Sequence, residues 1–503
     1  MNDKRKLAFS LIFCLCGTSL AAYQPSHISG QTEASTVLPQ ETSTYDAERY
    51  PFSVDVYGPG VTNLSSSDSY AKYQWGLKND AELQYSEITN RFKDRNPKLA
   101  AYIDLANYFG VPAPVSGPDA YRIKETRARK GVDIDVLPAW NLYDASTEEH
   151  RQVVVAVIDT GIDITHPDLK DSIWTNEDEI PGDGIDNDGN GYIDDVHGWN
   201  FFDGNNELCK GSEDDHGTHA AGTIAAARGN GGIAGIADNK YVKIMSLKAL
   251  GTRYGVGEEK AIIEAIRYAE ANGASICNLS FGTTEYYPEL EKVMRASKML
   301  FVVSAGNGNA KGIGEDTDQK PDYPSSFDLD NVISVANLMF DGNLAESSNY
   351  GAKSVDIAAP GTYIVSTIAN NGYGFMTGTS MSAPMVTGAA AFLYSYRTDL
   401  QLSDIRKVLL ETARKIPPLK GKLSSNGMLD VYAALNYGRT TETADQQNTQ
   451  TEETAQENQT TNKETNDANS AQGESQSTET TTSQTSTAKT ITAGGGEPIR
   501  LGK

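Results

Sequence analysis

Between residues 152 and 437, short apolar runs alternate with stretches of helical period. Residues 153–158 (Val-Val-Val-Ala-Val-Ile) form a continuous apolar run, and 242–247 form a second such stretch. Both predict strands buried on two faces. Over 258–272, Ile262, Ile263, Ile266 and Ala269 share one stripe, and Gly273 ends the predicted helix. A strand at 275–279, a helix at 289–297 and strands at 300–303, 332–335 and 355–357 follow. Helices at 383–396, 403–415 and 428–435 close the pattern. Strand and helix alternating in this way predict an α/β fold: a doubly wound, mostly parallel sheet with helices on both faces. Ligands in such sheets bind beyond the carboxyl ends of the strands.

The flanks read differently. Residues 23–67 are rich in Ser, Thr, Pro and Gly, as in a disordered leader or linker. Residues 68–136 read as an N-terminal extension lying against the main domain at 137–439. In it Tyr73, Trp75 and Leu77 can pack. So can a helix at 99–109, with Leu99, Tyr102, Ala106 and Phe109 on one side and Asn96-Pro97 at its start. Residues 440–503 are a Thr-, Gln- and Glu-rich tail with too few apolar positions to offset ordering entropy, so disorder is expected.

Charge and cysteine narrow the setting. The formal net charge is −24, part of it in the tail, which argues against nucleic acid and anionic membranes as partners. Residues 1–22 have a basic start at Lys4, Arg5 and Lys6, an apolar stretch over 7–15 and small residues at Ser19 and Ala21. That is a secretory signal, cut after Ala21 or Ala22, and too short to span a bilayer. The mature chain is thus expected to be secreted, whether free or surface-associated, without a transmembrane segment. Only Cys209 and Cys277 remain in it, and a disulfide and two separate thiols both stay open.

Several polar motifs interrupt the pattern at strand ends and helix starts. Gly378-Thr379-Ser380-Met381-Ser382-Ala383-Pro384 delivers Ser380 to the start of a helix, where developing negative charge is favoured. Asp159 ends the strand at 153–158. His216 and His219 stand three apart, but Gly217 occupies the position where a zinc-peptidase motif needs glutamate. Asn307 follows the strand at 300–303 and offers an amide able to hold an oxyanion. Each alone is an ordinary polar turn. Residues 183–195 are densely acidic: side-chain oxygens of Asp186, Asp188 and Asn190, with Gly191 for the turn, match the first half of a calcium loop. Packed carboxylates repel unless a cation neutralises them, and Asp194 is the fourth expected ligand. The loop departs from the helix–loop–helix pattern at His197, where glutamate is expected.

Taken together in chain order, the motifs around Asp159, His216, Asn307 and Ser380 resemble those of the subtilisin-like serine proteases. The resemblance covers residues 137–437. It implies that Ser380 is the nucleophile, His216 the base and Asp159 its orienting carboxylate. Asn307 and the Ser380 backbone N–H would form the oxyanion hole. It further implies that Ser280, Phe281 and Gly282 pair with substrate backbone and, with Gly306, wall the first specificity pocket. Gly255 and Gly257 would be the opposite rim, and a protein or peptide substrate would lie between them as an added strand. Asp168, in Thr165-His166-Pro167-Asp168-Leu169, would ligate a structural Ca2+, with Asn230 as a partner. The chain departs from the family in its leader, which is short for an inhibitory prodomain. Either the leader is not inhibitory or residues 68–130 inhibit, with the basic stretch at 124–130 as a processing site. The alternatives are a catalytically silent, calcium-dependent binding or adhesion protein on the same fold, and a narrow processing enzyme or exopeptidase. Neither the pocket floor nor the oligomeric state is legible.

Overall fold

The computed structural model describes residues 67–81, 83–87, 125–251, 255–309 and 313–439, with short strands at Phe9–Ser10 and Val54–Tyr57. The expected helix at 99–109, Lys124 at the start of the basic stretch at 124–130 and the tail from 440 lie outside the described residues.

A nine-stranded sheet organises the chain. In spatial order its strands are Arg414–Lys415, Gly427–Met428, Ile357–Pro360, Val332–Leu338, Leu300–Ser304, Ile276–Leu279, Val153–Asp159, Val242–Lys248 and Gly198–Asn200. All neighbours are parallel except the first pair. Successive side chains of a strand point to opposite faces, and both faces are covered. Val153, Val155 and Val157 enter one apolar cluster; Ala156 and Ile158 enter another. The first cluster takes in the helices Val136–Asp144, Asp215–Ala225, Thr379–Tyr396, Leu402–Thr412 and Val431–Leu435. The second is capped by Glu259–Ala271 and Pro288–Ala296. The fold is therefore the expected α/β one, with a mostly parallel sheet between two helical layers.

Trp75 and Leu77 belong to the first cluster, and the Trp75 indole N–H donates to the Thr362 carbonyl at 2.9 Å. Gln74 exchanges hydrogen bonds with the Ala234 backbone, at 2.8 and 2.9 Å. The segment that precedes the sheet is thus built into its core.

Local differences from the sequence reading have physical causes. The helix expected at 383–396 begins four residues earlier, as Thr379–Tyr396. Pro384 sits inside the helix. The helix expected at 403–415 ends at Thr412, because Ala413 turns extended and Arg414–Lys415 pairs with Gly427–Met428. That pairing also delays the last helix to Val431–Leu435, capped by Asp430, whose carboxylate accepts the Ala433 N–H at 2.9 Å. The strand expected at 355–357 lies at Ile357–Pro360. A hairpin of Ile364–Ile368 and Gly372–Met376 follows it, where glycines and polar residues break the apolar pattern. Cys209 and Cys277 are both free thiols.

Lys248 ends its strand opposite Asp159 in register, and its ammonium is fully buried against the equally buried Asp214. Glu213 lies 3.3 Å from the same nitrogen. Burial pushes the Asp214 carboxyl up, and Lys248 pulls it back. Asp214 stands directly before the helix Asp215–Ala225, so the pair ties that helix start to the sheet. Lys248→Ala strands a buried carboxylate and is expected to cost about 3–5 kcal/mol in urea unfolding. Replacing both partners with apolar residues is expected to recover most of that loss.

Candidate active site

Asp159, His216, Asn307 and Ser380 stand at or just past strand ends and at helix starts, on the carboxyl side of the sheet. Asp159 ends its strand and is wholly buried. Its Oδ1 accepts the Thr160 N–H at 2.6 Å. Its two oxygens face His216 Nδ1 at 2.8 and 3.0 Å. A carboxylate only accepts, so Nδ1 carries the proton.

The approach depends on Gly217. A Cβ there would overlap the Gly161 carbonyl and stand 3.1 Å from the Asp159 Cβ. The Gly217 N–H, which no helical carbonyl can take this early in the helix, donates to Thr160 Oγ1 at 3.1 Å. Strand end and helix start are thereby joined at three successive positions, Asp159, Thr160 and Gly161.

Ser380 lies in the first turn of a helix buried along almost its whole length. Gly378, before it, has φ 151° and ψ 170°, a region open only to glycine. Pro384 brings no N–H, so the Ser380 carbonyl lacks its donor four residues on. Ser280 supplies one: its hydroxyl donates to the Ser380 carbonyl at 3.0 Å. Behind it, Asn278 Nδ2 donates to Ser280 Oγ at 2.9 Å, and Thr387 Oγ1 donates to Asn278 Oδ1 at 2.8 Å. The Ser380 hydroxyl donates to the Ser280 carbonyl at 3.1 Å. Asn307 Oδ1 accepts from Thr379 N and Thr379 Oγ1, at 2.9 and 3.1 Å, which commits the oxygen end of its amide to the serine helix. The histidine and serine helices pack together at Gly388, where a Cβ would be 3.4 Å from the Ile224 Cα.

A profile of the subtilase family matches residues 150–474, well over half of the chain. The chain belongs to the subtilase family. It is 36% identical over 311 residues to the major intracellular serine protease of Bacillus subtilis, spanning 60% of this chain and 87% of that relative. It is 35% identical over 300 residues to subtilisin-like protease 1 of Plasmodium falciparum, spanning 56% of this chain and 43% of that one. This subtilase thus spans less than half the length of the Plasmodium relative. A thermophilic serine proteinase of a Bacillus species is 36% identical over 304 residues, 59% of this chain and 64% of the relative. Among solved structures, a protease of Pseudoalteromonas arctica covers 60% of this chain and 93% of its own at 28% identity, with a TM-score of 0.47.

The other residues expected at the cleft are held by contacts of their own. Gly282 follows Ser280 by two positions, and Gly306 donates its N–H to Thr379 Oγ1 at 3.2 Å. Phe281 turns its ring away, into the second apolar cluster. Gly255 precedes the strand Val256–Gly257, which pairs antiparallel with Leu250–Gly251 on one edge and Phe9–Ser10 on the other. No helix among the described residues is long and apolar enough to cross a membrane.

The carboxylates of the acidic loop hold its backbone, and Glu179 accepts the N–H groups of Asn187, Asp188 and Asp194 at 2.7, 3.2 and 3.1 Å. Asp194 accepts the N–H groups of Gly182, Asp183 and Gly184, at 2.7, 3.1 and 3.1 Å. Asp186 accepts those of Asn190 and Gly191, at 3.0 and 2.8 Å. These two shape the loop. Asp188, which accepts the Asn190 N–H at 2.9 Å, also converges with Glu179 and Asp195, with one oxygen of each within 4.8 Å of the others. Asn190 Nδ2 bridges Asp188 and Asp195, at 2.8 and 2.9 Å. Glu179 lies upstream of the acidic run, and nothing in the periodicity marks it. Asp168 stands elsewhere, buried, accepting the Ile233 N–H at 2.9 Å; burial pushes its carboxyl up.

His219 is fully buried, and its Nε2 donates to the Ile364 carbonyl at 2.8 Å. Burial pushes its pKa down from 6.5 to about 3. Its ring is expected to show no NMR titration between roughly pH 5 and 9. Below 6.5 the unfolded chain binds a proton that the folded ring refuses, so this group costs stability as pH falls toward about 3.

Proposed function

We propose that this subtilase is a serine endopeptidase acting on proteins and peptides. The observation that carries the reading is the buried Asp159 carboxylate gripping His216 Nδ1 beside the helix that bears Ser380. With Nδ1 holding a proton, Nε2 is the basic nitrogen. The Ser380 hydroxyl leaves the Ser280 carbonyl, gives its proton to Nε2 and attacks the peptide carbonyl. Asp159 holds the ring and stabilises the imidazolium that forms. The resulting oxyanion meets the Asn307 amide nitrogen and the Ser380 N–H, at a helix N-terminus that favours negative charge. His216 then returns its proton to the leaving amine, giving an acyl-enzyme that water hydrolyses by the same steps. Substrate adds as a strand between the segments at Ser280 and Gly257, on the edge where Phe9–Ser10 pairs.

Glu179, Asp188 and Asp195 would hold a calcium ion, whose charge would relieve their mutual repulsion and stiffen the loop. Asp168 is proposed as the ligand of a second structural ion, with Asn230 beside it. The basic and apolar start of the chain supports export of the enzyme.

A fluorophosphonate is expected to label the wild type and not Ser380→Ala. Asp159→Asn should lower kcat on the order of 10⁴-fold. Asn307→Ala should lower it on the order of 10²–10³-fold, the range known for this donor in subtilisin. A catalytically silent adhesion protein would neither take the label nor cut casein. A calcium chelator should lower the melting temperature by several degrees, and Asp188→Ala should do so while reducing the response to chelator to that of the second site.

A further inference from the structure

Asp322 is a buried acid with no part in the chemistry above. It is 3% exposed, and its Oδ1 accepts no hydrogen bond. Burial, with the Glu315 carboxylate adding to it, pushes its acid up to about 7. Glu315 is itself paired with Lys320 at 2.5 Å, so that cation is committed elsewhere. The Asp322 backbone is fixed on every side. Its N–H donates to Ser326 Oγ at 3.2 Å, and its carbonyl accepts from Ser325 Oγ and Ser326 N, both at 2.8 Å. The next residue, Tyr323, exchanges backbone hydrogen bonds with Thr283 at 2.7 and 2.8 Å. An unpaired carboxylate held rigidly in a buried place is a large cost to a fold.

What lies in front of the carboxylate gives it a use. A Cβ on Gly282 would overlap Asp322 Oδ1, and one on Gly306 would stand 3.0 Å from Oδ2. Neither residue has a side chain, so two bare backbone segments flank the acid. Both segments lead to the reacting serine. Gly282 is two positions past Ser280, whose carbonyl takes the Ser380 hydroxyl at 3.1 Å. Gly306 precedes Asn307 and bonds Thr379 at 3.2 Å. A substrate side chain entering beside Ser380 would pass between the two glycines and end at Asp322. Asn349 commits one Nδ2 hydrogen to the Ala305 carbonyl at 2.9 Å, and the same nitrogen is the nearest atom to a Cβ built on Gly306.

We infer that Asp322 is the floor of the pocket for the residue preceding the cut bond, and that it selects lysine or arginine there. The inference rests on the endopeptidase reading and names its substrate class. The methylene stem of such a side chain lies along the glycine backbones, and its cationic head pairs with the waiting carboxylate. An apolar side chain would fill the same space and leave the charge dry and unpaired, which is how the pocket rejects it.

The test uses the full chain and peptide anilides that differ only in the residue before the cut. Wild type is expected to favour Lys and Arg over Phe and Leu in kcat/KM on the order of 100-fold. Asp322→Asn, and independently Asp322→Ser, should erase that preference while Ser380 still takes a fluorophosphonate. The ratio of basic to apolar kcat/KM should fall as pH drops through about 7, and be flat in Asp322→Asn. His216 serves both substrates alike and cancels in the ratio. A labelled, active wild type that prefers Phe or Leu overturns the inference and leaves the endopeptidase reading standing. So does an Asp322→Asn enzyme that keeps the basic preference. No label and no cleavage of any substrate overturns both.

Discussion

The whole arrangement depends on one close contact between a strand end and a helix start. Asp159 is buried where its carboxylate can only accept, and its donors are the Thr160 N–H and His216 Nδ1. For the imidazole to reach it, the helix must come against the Gly161 carbonyl, and Gly217 is what permits that distance. The same junction uses Thr160 Oγ1 to satisfy an N–H that every helix leaves open at its start. Lys248 and Asp214 brace it from the neighbouring strand. The geometry of the histidine is thus set by backbone packing and by buried charge, before any substrate is present.

The serine side follows a parallel logic with different means. Pro384 removes a donor from the helix that carries Ser380, and the buried chain Thr387–Asn278–Ser280 supplies it from the next strand. Since Ser280 and Gly282 also border the proposed substrate groove, the hydrogen bonds that hold the nucleophile also hold the wall beside it. Thr379 does the same for the other wall, bonding Gly306 and Asn307 together. Binding and chemistry share supports, so a change on either wall is felt at the reacting atoms.

Strands buried on two faces are written as continuous apolar runs, which is why the central sheet and its helical layers were legible. The residues at strand ends were legible too, because Asp159, His216, Asn307 and Ser380 interrupt that pattern with polar groups in small-residue settings. What escaped was determined by contacts between distant segments. The helix of Ser380 begins before Ala383 because Ser280, far away in sequence, compensates Pro384. Glu179 joins Asp188 and Asp195 only after the loop folds back, a convergence that Asp186 and Asp194, equally acidic in sequence, do not share. Asp322 carries no motif at all. Its significance lies in the two glycines that face it, and those come from the segments that follow two different strands.

The central claim is that Asp159, His216 and Ser380 act as one unit, and a double-mutant cycle in kcat tests it most directly. If they do, Ser380→Ala, His216→Ala and the double variant all fall to the same residual rate, because removing either member disables the other. A double variant slower than each single one by the product of their separate losses would mean that the two side chains act independently, and would contradict the account.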